Sequence, residues 1–125
     1  MFLRIFTIAN DVETSEKICE ELLSKLNKYI EKKTYLSNKP YWKMEGVYSV
    51  EVKLKLRKKM PNVFLNDFYC SIANKWISYG SPENEVLFSN NIDGCNFKND
   101  NILMLNIFLE VNTAYNSDSM NNVFL

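Results

Sequence analysis

The chain has 125 residues, 46% of them apolar and 14% aromatic. That is enough for one core in one domain, and too apolar for a chain that stays unfolded. Fifteen basic and fifteen acidic side chains cancel, which removes the global positive excess expected of a general nucleic-acid binder.

Residues 2–9 are apolar on both alternating faces: Phe2, Phe6 and Ile8 on one, Leu3 and Ile5 on the other. This predicts a central strand covered on both sides. Arg4 interrupts the run and Asp11 and Glu13 follow it, an order that does not suit a signal peptide. Asn10 with Glu13 three residues on has capping-box spacing. Ile18, Cys19, Leu22, Leu23, Leu26, Tyr29 and Ile30 then recur at helical spacing, with acids early and lysines late. The pattern predicts a helix over 12–32.

Residues 35–57 predict a hairpin or one long bent strand. Val50, Val52, Leu54 and Leu56 alternate with Glu51, Lys53, Lys55 and Arg57, so one face is buried and the other wet and basic. Gly46 marks a turn or a bulge ahead of it. Pro61 suits the first turn of a second helix, whose apolar face runs from Phe64 to Ile77 and which Gly80-Ser81-Pro82 should end. Val86–Phe88 predicts a short strand, Asn90–Gly94 a turn, and Ile102–Val111 a buried strand.

The expected fold is α+β: a single sheet of four to five mostly antiparallel strands with two helices packed on one face, a ferredoxin-like plait in the order β-α-β-β-α-β-β. Residues 1–111 form the domain and 112–125 a C-terminal tail.

The chemistry is read mostly by exclusion. The chain has no histidine, which removes Ser-His-Asp and Cys-His mechanisms and the commonest zinc ligand. Its three glycines build no phosphate-cradling loop. Cys19, Cys70 and Cys95 are odd in number and widely spaced, so they make neither a disulfide framework nor a CxxC metal site. Free thiols suit a reducing compartment, hence a cytoplasmic location. No run reaches the roughly 18 apolar residues of a membrane helix. No catalytic residue, metal or cofactor is expected. Paired carboxylates survive as a minor route, since acid-pair catalysis needs no histidine.

Charge is distributed unevenly. Residues 39–75 hold eight basic and three acidic side chains, and residues 76–125 one lysine against six acids. The stretch Lys53, Lys55, Arg57, Lys58 and Lys59 reads as an edge strand guarded by lysines, or as the face of a small RNA- or DNA-binding module. Tyr41-Trp42 is either ordinary core, the default for a Trp beside a sheet, or an aromatic binding contact.

The segment Tyr41-Trp42-Lys43-Met44-Glu45-Gly46-Val47-Tyr48-Ser49-Val50, following a strand and a capped helix, resembles immunity proteins of bacterial polymorphic-toxin systems, especially those of contact-dependent growth inhibition. The resemblance implies a non-enzymatic cytoplasmic protein that binds a cognate toxin domain, in many systems a nuclease, and blocks its active site. An acidic surface would then mimic nucleic acid and raise the on-rate. On that reading the contact region is the acidic segment from Glu83 to Asp118, with Glu83, Glu85, Asp93 and Asp100 as candidate toxin-binding residues and Tyr41 and Trp42 as candidate aromatic contacts.

Overall fold

A computed structural model describes residues 1–109. The elements in chain order are β1 (Phe2–Ile8), α1 (Val12–Ser24), β2 (Ile30–Pro40), β3 (Val47–Leu56), α2 (Asn62–Ile72), β4 (Ile77–Tyr79), β5 (Glu85–Ser89) and β6 (Ile102–Phe108). All six strands join one antiparallel sheet in the order β2-β3-β1-β6-β5-β4. The chain is therefore α+β with one sheet and two helices, and the sheet is larger than the four to five strands expected.

The doubly apolar β1 occupies the interior, between β3 and β6. Its Leu3, Ile5 and Thr7 point to the helix side and are fully buried. In register with them on that side lie Val52 and Val50 of β3, Ile107 and Leu105 of β6, and beyond these Val86 and Phe88 of β5. Ile18, Cys19, Leu22 and Leu23 of α1 and Phe68, Tyr69 and Ile72 of α2 complete the same core cluster. Burying each such aliphatic side chain contributes about 1.5–3 kcal/mol, so most of the driving force lies between this face and the helices. A buried hydroxyl pair, Thr7 Oγ1 and Ser15 Oγ at 2.8 Å, joins β1 to the first turns of α1.

Several expected boundaries move. The α1 cap is Asp11, whose side chain accepts from the Thr14 N–H, rather than Asn10. The helix ends at Ser24 instead of continuing to residue 32, and residues 25–29 turn back through Leu26 N–H to Leu23 O and Tyr29 N–H to Leu26 O. Leu26 and Tyr29 stay buried, so the apolar period persists while the backbone leaves the helix. The competing demand is β2, an eleven-residue strand that pairs with β3 from Ile30 to Pro40. Glu20 of α1 receives both Lys33 Nζ, at 2.5 Å, and the Tyr35 hydroxyl, which holds β2 against the helix.

The α2 helix begins where Pro61 suggested, but it closes at Ile72. Ile77 lies in β4, and Gly80-Ser81-Pro82 forms the turn into β5 rather than the end of a helix. Gly80 holds φ +92°, a conformation that suits glycine alone. β4 is the sheet's extra strand, and its three residues carry too little periodicity to separate from the preceding apolar run. β3, expected at an edge, is interior, because β2 pairs along its outer side. The edge that β2 presents carries two register irregularities and three lysines, both of which oppose pairing with another chain. Positions 110 and 111 of the last expected strand, and the expected tail 112–125, lie outside the described residues.

Candidate functional site

One end of the sheet gathers three connections. β1 finishes there at Ile8, β3 and β6 begin there, and α1 starts immediately after. Ile8 N–H donates to Asn101 O at 2.8 Å, and Ala9 N–H to Gly46 O at 3.0 Å. Those two bonds set the 90–101 connection and the 41–46 loop on either side of the end of β1. Tyr41 N–H donates to Val47 O at 2.8 Å and Met44 N–H to Tyr41 O at 3.2 Å, so the loop is a closed turn. Gly46, at φ +76°, returns the chain into β3.

On this turn Tyr41 packs its ring on Phe6, with centroids 4.8 Å apart. Trp42 stands edge-on to Tyr41 at 6.3 Å, with the Lys43 ammonium 4.9 Å from its ring centroid. Trp42 is 83% exposed and Met44 51% exposed. Ile8 and Val12, on the adjoining β1–α1 corner, are also exposed. The default reading of Trp42 as core is thus overturned: its anchor Tyr41 is half-buried, and Trp42 projects from it. A large apolar ring held outward from a turn that is itself packed on the sheet offers area that a partner could cover.

The four predicted acids do not form one group. Glu83 and Glu85 lie at the start of β5, the far end of the sheet from Trp42. Asp93 and Asp100 lie in the 90–101 connection, at the Trp42 end. Glu83 accepts from the Tyr69 hydroxyl at 3.4 Å, on the helix side. Glu85 accepts from Asn106 Nδ2 at 2.9 Å, on the opposite face. The two neighbours therefore serve different surfaces. Burial, with the Glu83 charge beside it, pushes the Tyr69 hydroxyl above its ordinary value. Asp93 and Asp100 are exposed, and the backbone of Asp93 is held by Lys75 Nζ at 2.7 Å. Nothing here sets two of these carboxyls across a shared cleft.

The basic stretch lies at the end opposite Trp42, and much of it is engaged within the chain. Lys55 pairs with Glu31 at 3.0 Å, Arg57 Nε donates to Ile30 O at 2.9 Å, and the Lys58 ammonium lies 5.4 Å from the Tyr29 ring centroid. A cleft of about 150 Å³ between α1, α2 and the 98–102 segment is lined by Glu21, Lys25, Ser71, Lys98 and Asn99 among others. Its opposite charges sit on exposed, flexible side chains. Among the described residues no three His, Cys, Asp or Glu side chains converge on a metal-sized site. Cys19 and Cys95 are buried and Cys70 is exposed, all as free thiols. Also among the described residues, no helix is long and apolar enough to cross a membrane.

Compared with protein-family models, characterised proteins and solved structures, the chain matches none.

Sequence reasoning named Tyr41 and Trp42 but missed Ile8, Val12 and Met44. Ile8 closes an apolar strand, whereas Val12 and Met44 stand singly among polar residues, and only the meeting of three connections brings them to one end of the sheet, exposed.

Proposed function

We propose that the chain is a non-enzymatic binding protein that neutralises a cognate bacterial toxin domain, seating the Trp42 turn in or beside the toxin's active site. The observation that carries the reading is Trp42 itself, 83% exposed on a turn stacked against the sheet through Tyr41 and Phe6. Asp93 and Asp100 share that end of the molecule and suit a basic target such as a nuclease cleft, where they would steer encounter. Glu83 and Glu85, at the far end, would contribute only if the partner wrapped round the sheet. On this reading the protein works in the cytoplasm, where such a toxin acts. The central strands β2-β3-β1-β6 with the two helices would be its plait-like part.

The test is co-expression with the toxin encoded by the neighbouring gene. The chain should protect the cells and co-purify with the toxin domain. Trp42→Ala should weaken the complex by about 2 kcal/mol or more, the scale of a hot-spot aromatic. It should leave the melting temperature unchanged, since the ring covers little of its own chain. Absence of both binding and protection would refute the proposal. The competing RNA- or DNA-binding reading of residues 53–59 has less support, because Lys55, Arg57 and Lys58 already have partners in the chain. Salt-sensitive retention of nucleic acid in a gel, lost on Lys53→Glu, would favour it instead.

A further inference from the structure

Both described helices lie on one face of the sheet, and the opposite face has a regular composition that the Trp42 turn covers only at one corner, where Tyr41 packs on Phe6. Three rows of side chains cross it, read from the strand register. The first runs Lys53, Phe2, Phe108, Glu85. The second runs Glu51, Arg4, Asn106, Leu87, and the third Ser49, Phe6, Met104, Ser89. In the first row the two phenylalanine rings stack at 5.7 Å in the middle. The lysine stands on one flank and the carboxylate on the other. Three strand spacings of about 4.8 Å separate those charges, roughly 14 Å, too far to neutralise each other within the chain.

We propose that this face pairs with the same face of a second copy, about a two-fold axis parallel to the strands and passing between β1 and β6. Such an axis exchanges β3 with β5 and β1 with β6 at the same height. Lys53 then meets Glu85 of the second copy, and Glu85 meets its Lys53, as an isologous interface requires. Phe2 falls on Phe108, the apolar centre of the contact; the second and third rows add less, because Asn106 and Ser89 are buried within their own chain and Phe6 already carries the Tyr41 ring. Only Glu51 meets an apolar residue, Leu87, and it keeps Arg4 beside it in its own sheet. A two-fold axis across the strands would instead set Lys53 against Ser49 and leave both charges without an opposite. Charge complementarity therefore selects one axis as well as one occupant. Sheets that pack face to face hold their strands within about 30° of one another, which keeps these rows in reach. The face measures about 20 Å along the strands and slightly more across them, about 1,000 Å² over the two copies, which is the size of a weak, concentration-dependent dimer.

Sedimentation equilibrium of the full chain over a concentration series tests this. The mass should rise from 14.7 kDa towards twice that value. Lys53→Glu and Glu85→Lys should each weaken self-association at least tenfold, because each turns two attractive contacts into repulsive ones. An equimolar mixture of the two single variants should form a heterodimer, since every contact across it is again between opposite charges. The doubly exchanged protein should regain the original affinity. Circular dichroism of each variant establishes that it is folded, and the mixing experiment distinguishes a lost interface from a lost fold. Lys53 lies at the opposite end of the sheet from Trp42, so Lys53→Glu should leave toxin binding unchanged; toxin binding can therefore fail while this proposal stands, and the reverse. A monomer at every concentration would overturn the proposal, as would a dimer indifferent to both charge reversals. So would a full-length monomer that dimerises only after residues 110–125 are removed, which would assign the face to the chain's own end.

Discussion

Trp42 and Cys19 have opposite fates for the same reason, the position of each relative to the sheet. Cys19 lies on the α1 stripe facing Leu3 and Ile5, and burial pushes its thiol up to about 12, with the nearby Glu20 and Glu16 charges adding to the effect. A thiolate is the reactive form, so Cys19 is inert in the folded chain at neutral pH. Cys70 is exposed at the far side of α2. A disulfide reagent at pH 8 should therefore modify Cys70 quickly, with Cys19 and Cys95 following only as the chain unfolds. Equal rates for Cys70 and Cys19 in native buffer would contradict the placement of α1. Trp42 has no stripe to join. It lies two residues past the end of β2, on a turn packed on the sheet through the Tyr41 ring against Phe6.

At the scale of elements, the contact between α1 and β2 is where local preference and tertiary pairing meet. Glu20 gathers the Lys33 ammonium and the Tyr35 hydroxyl. Partial burial works against its charge, but the two hydrogen bonds and the Lys33 charge together outweigh that and hold its carboxyl below the ordinary value of 4.5. The folded state thus binds fewer protons than the unfolded state in the window just below that value, and stability falls as pH drops through it. Urea unfolding at several pH values should show this loss between neutral pH and about pH 3, the region of carboxylate titration. Glu20→Gln should flatten the profile there while lowering stability at pH 7. A variant that keeps the wild-type acid slope would remove Glu20 from the account. The pair is partly exposed, so salt should reduce its contribution.

Across the whole molecule, one face of the sheet carries both helices, which makes the core a single cooperative unit. Phe88 is fully buried and packs against Tyr69 of α2 at 5.9 Å and Trp76 at 5.6 Å, linking the β4–β5 hairpin to the rest. Phe88→Ala should cost about 3–5 kcal/mol, a large part of the stability of a domain this size. One denaturation transition by fluorescence and by circular dichroism should remain. A separate early transition of the β4–β5 hairpin would mean that the outer strands are not part of the common core.

Much of the fold was legible in local pattern. The central strand, the start of both helices and the alternation from Val50 to Arg57 each follow from periodicity and turn chemistry, because those signals sit within a few residues of one another; between the hairpin and the single bent strand that residues 35–57 allowed, the pairing of β2 with β3 decided for the hairpin. The early end of α1, the existence of β4 and the interior place of β3 were not legible. Each depends on a pairing partner distant in the chain: β2 on β3, β4 on β5, β3 between β2 and β1. The candidate site divides in the same way. Residue types alone identified Tyr41 and Trp42 as contact candidates and removed histidine-based and phosphate-loop chemistry. Only the tertiary structure decided that Trp42 points outward, that Asp93 and Asp100 share its end while Glu83 and Glu85 do not, and that Lys53 and Glu85 flank one aromatic row. Side-chain chemistry belongs to the residue, whereas exposure and proximity belong to the arrangement of strands that the residue cannot see.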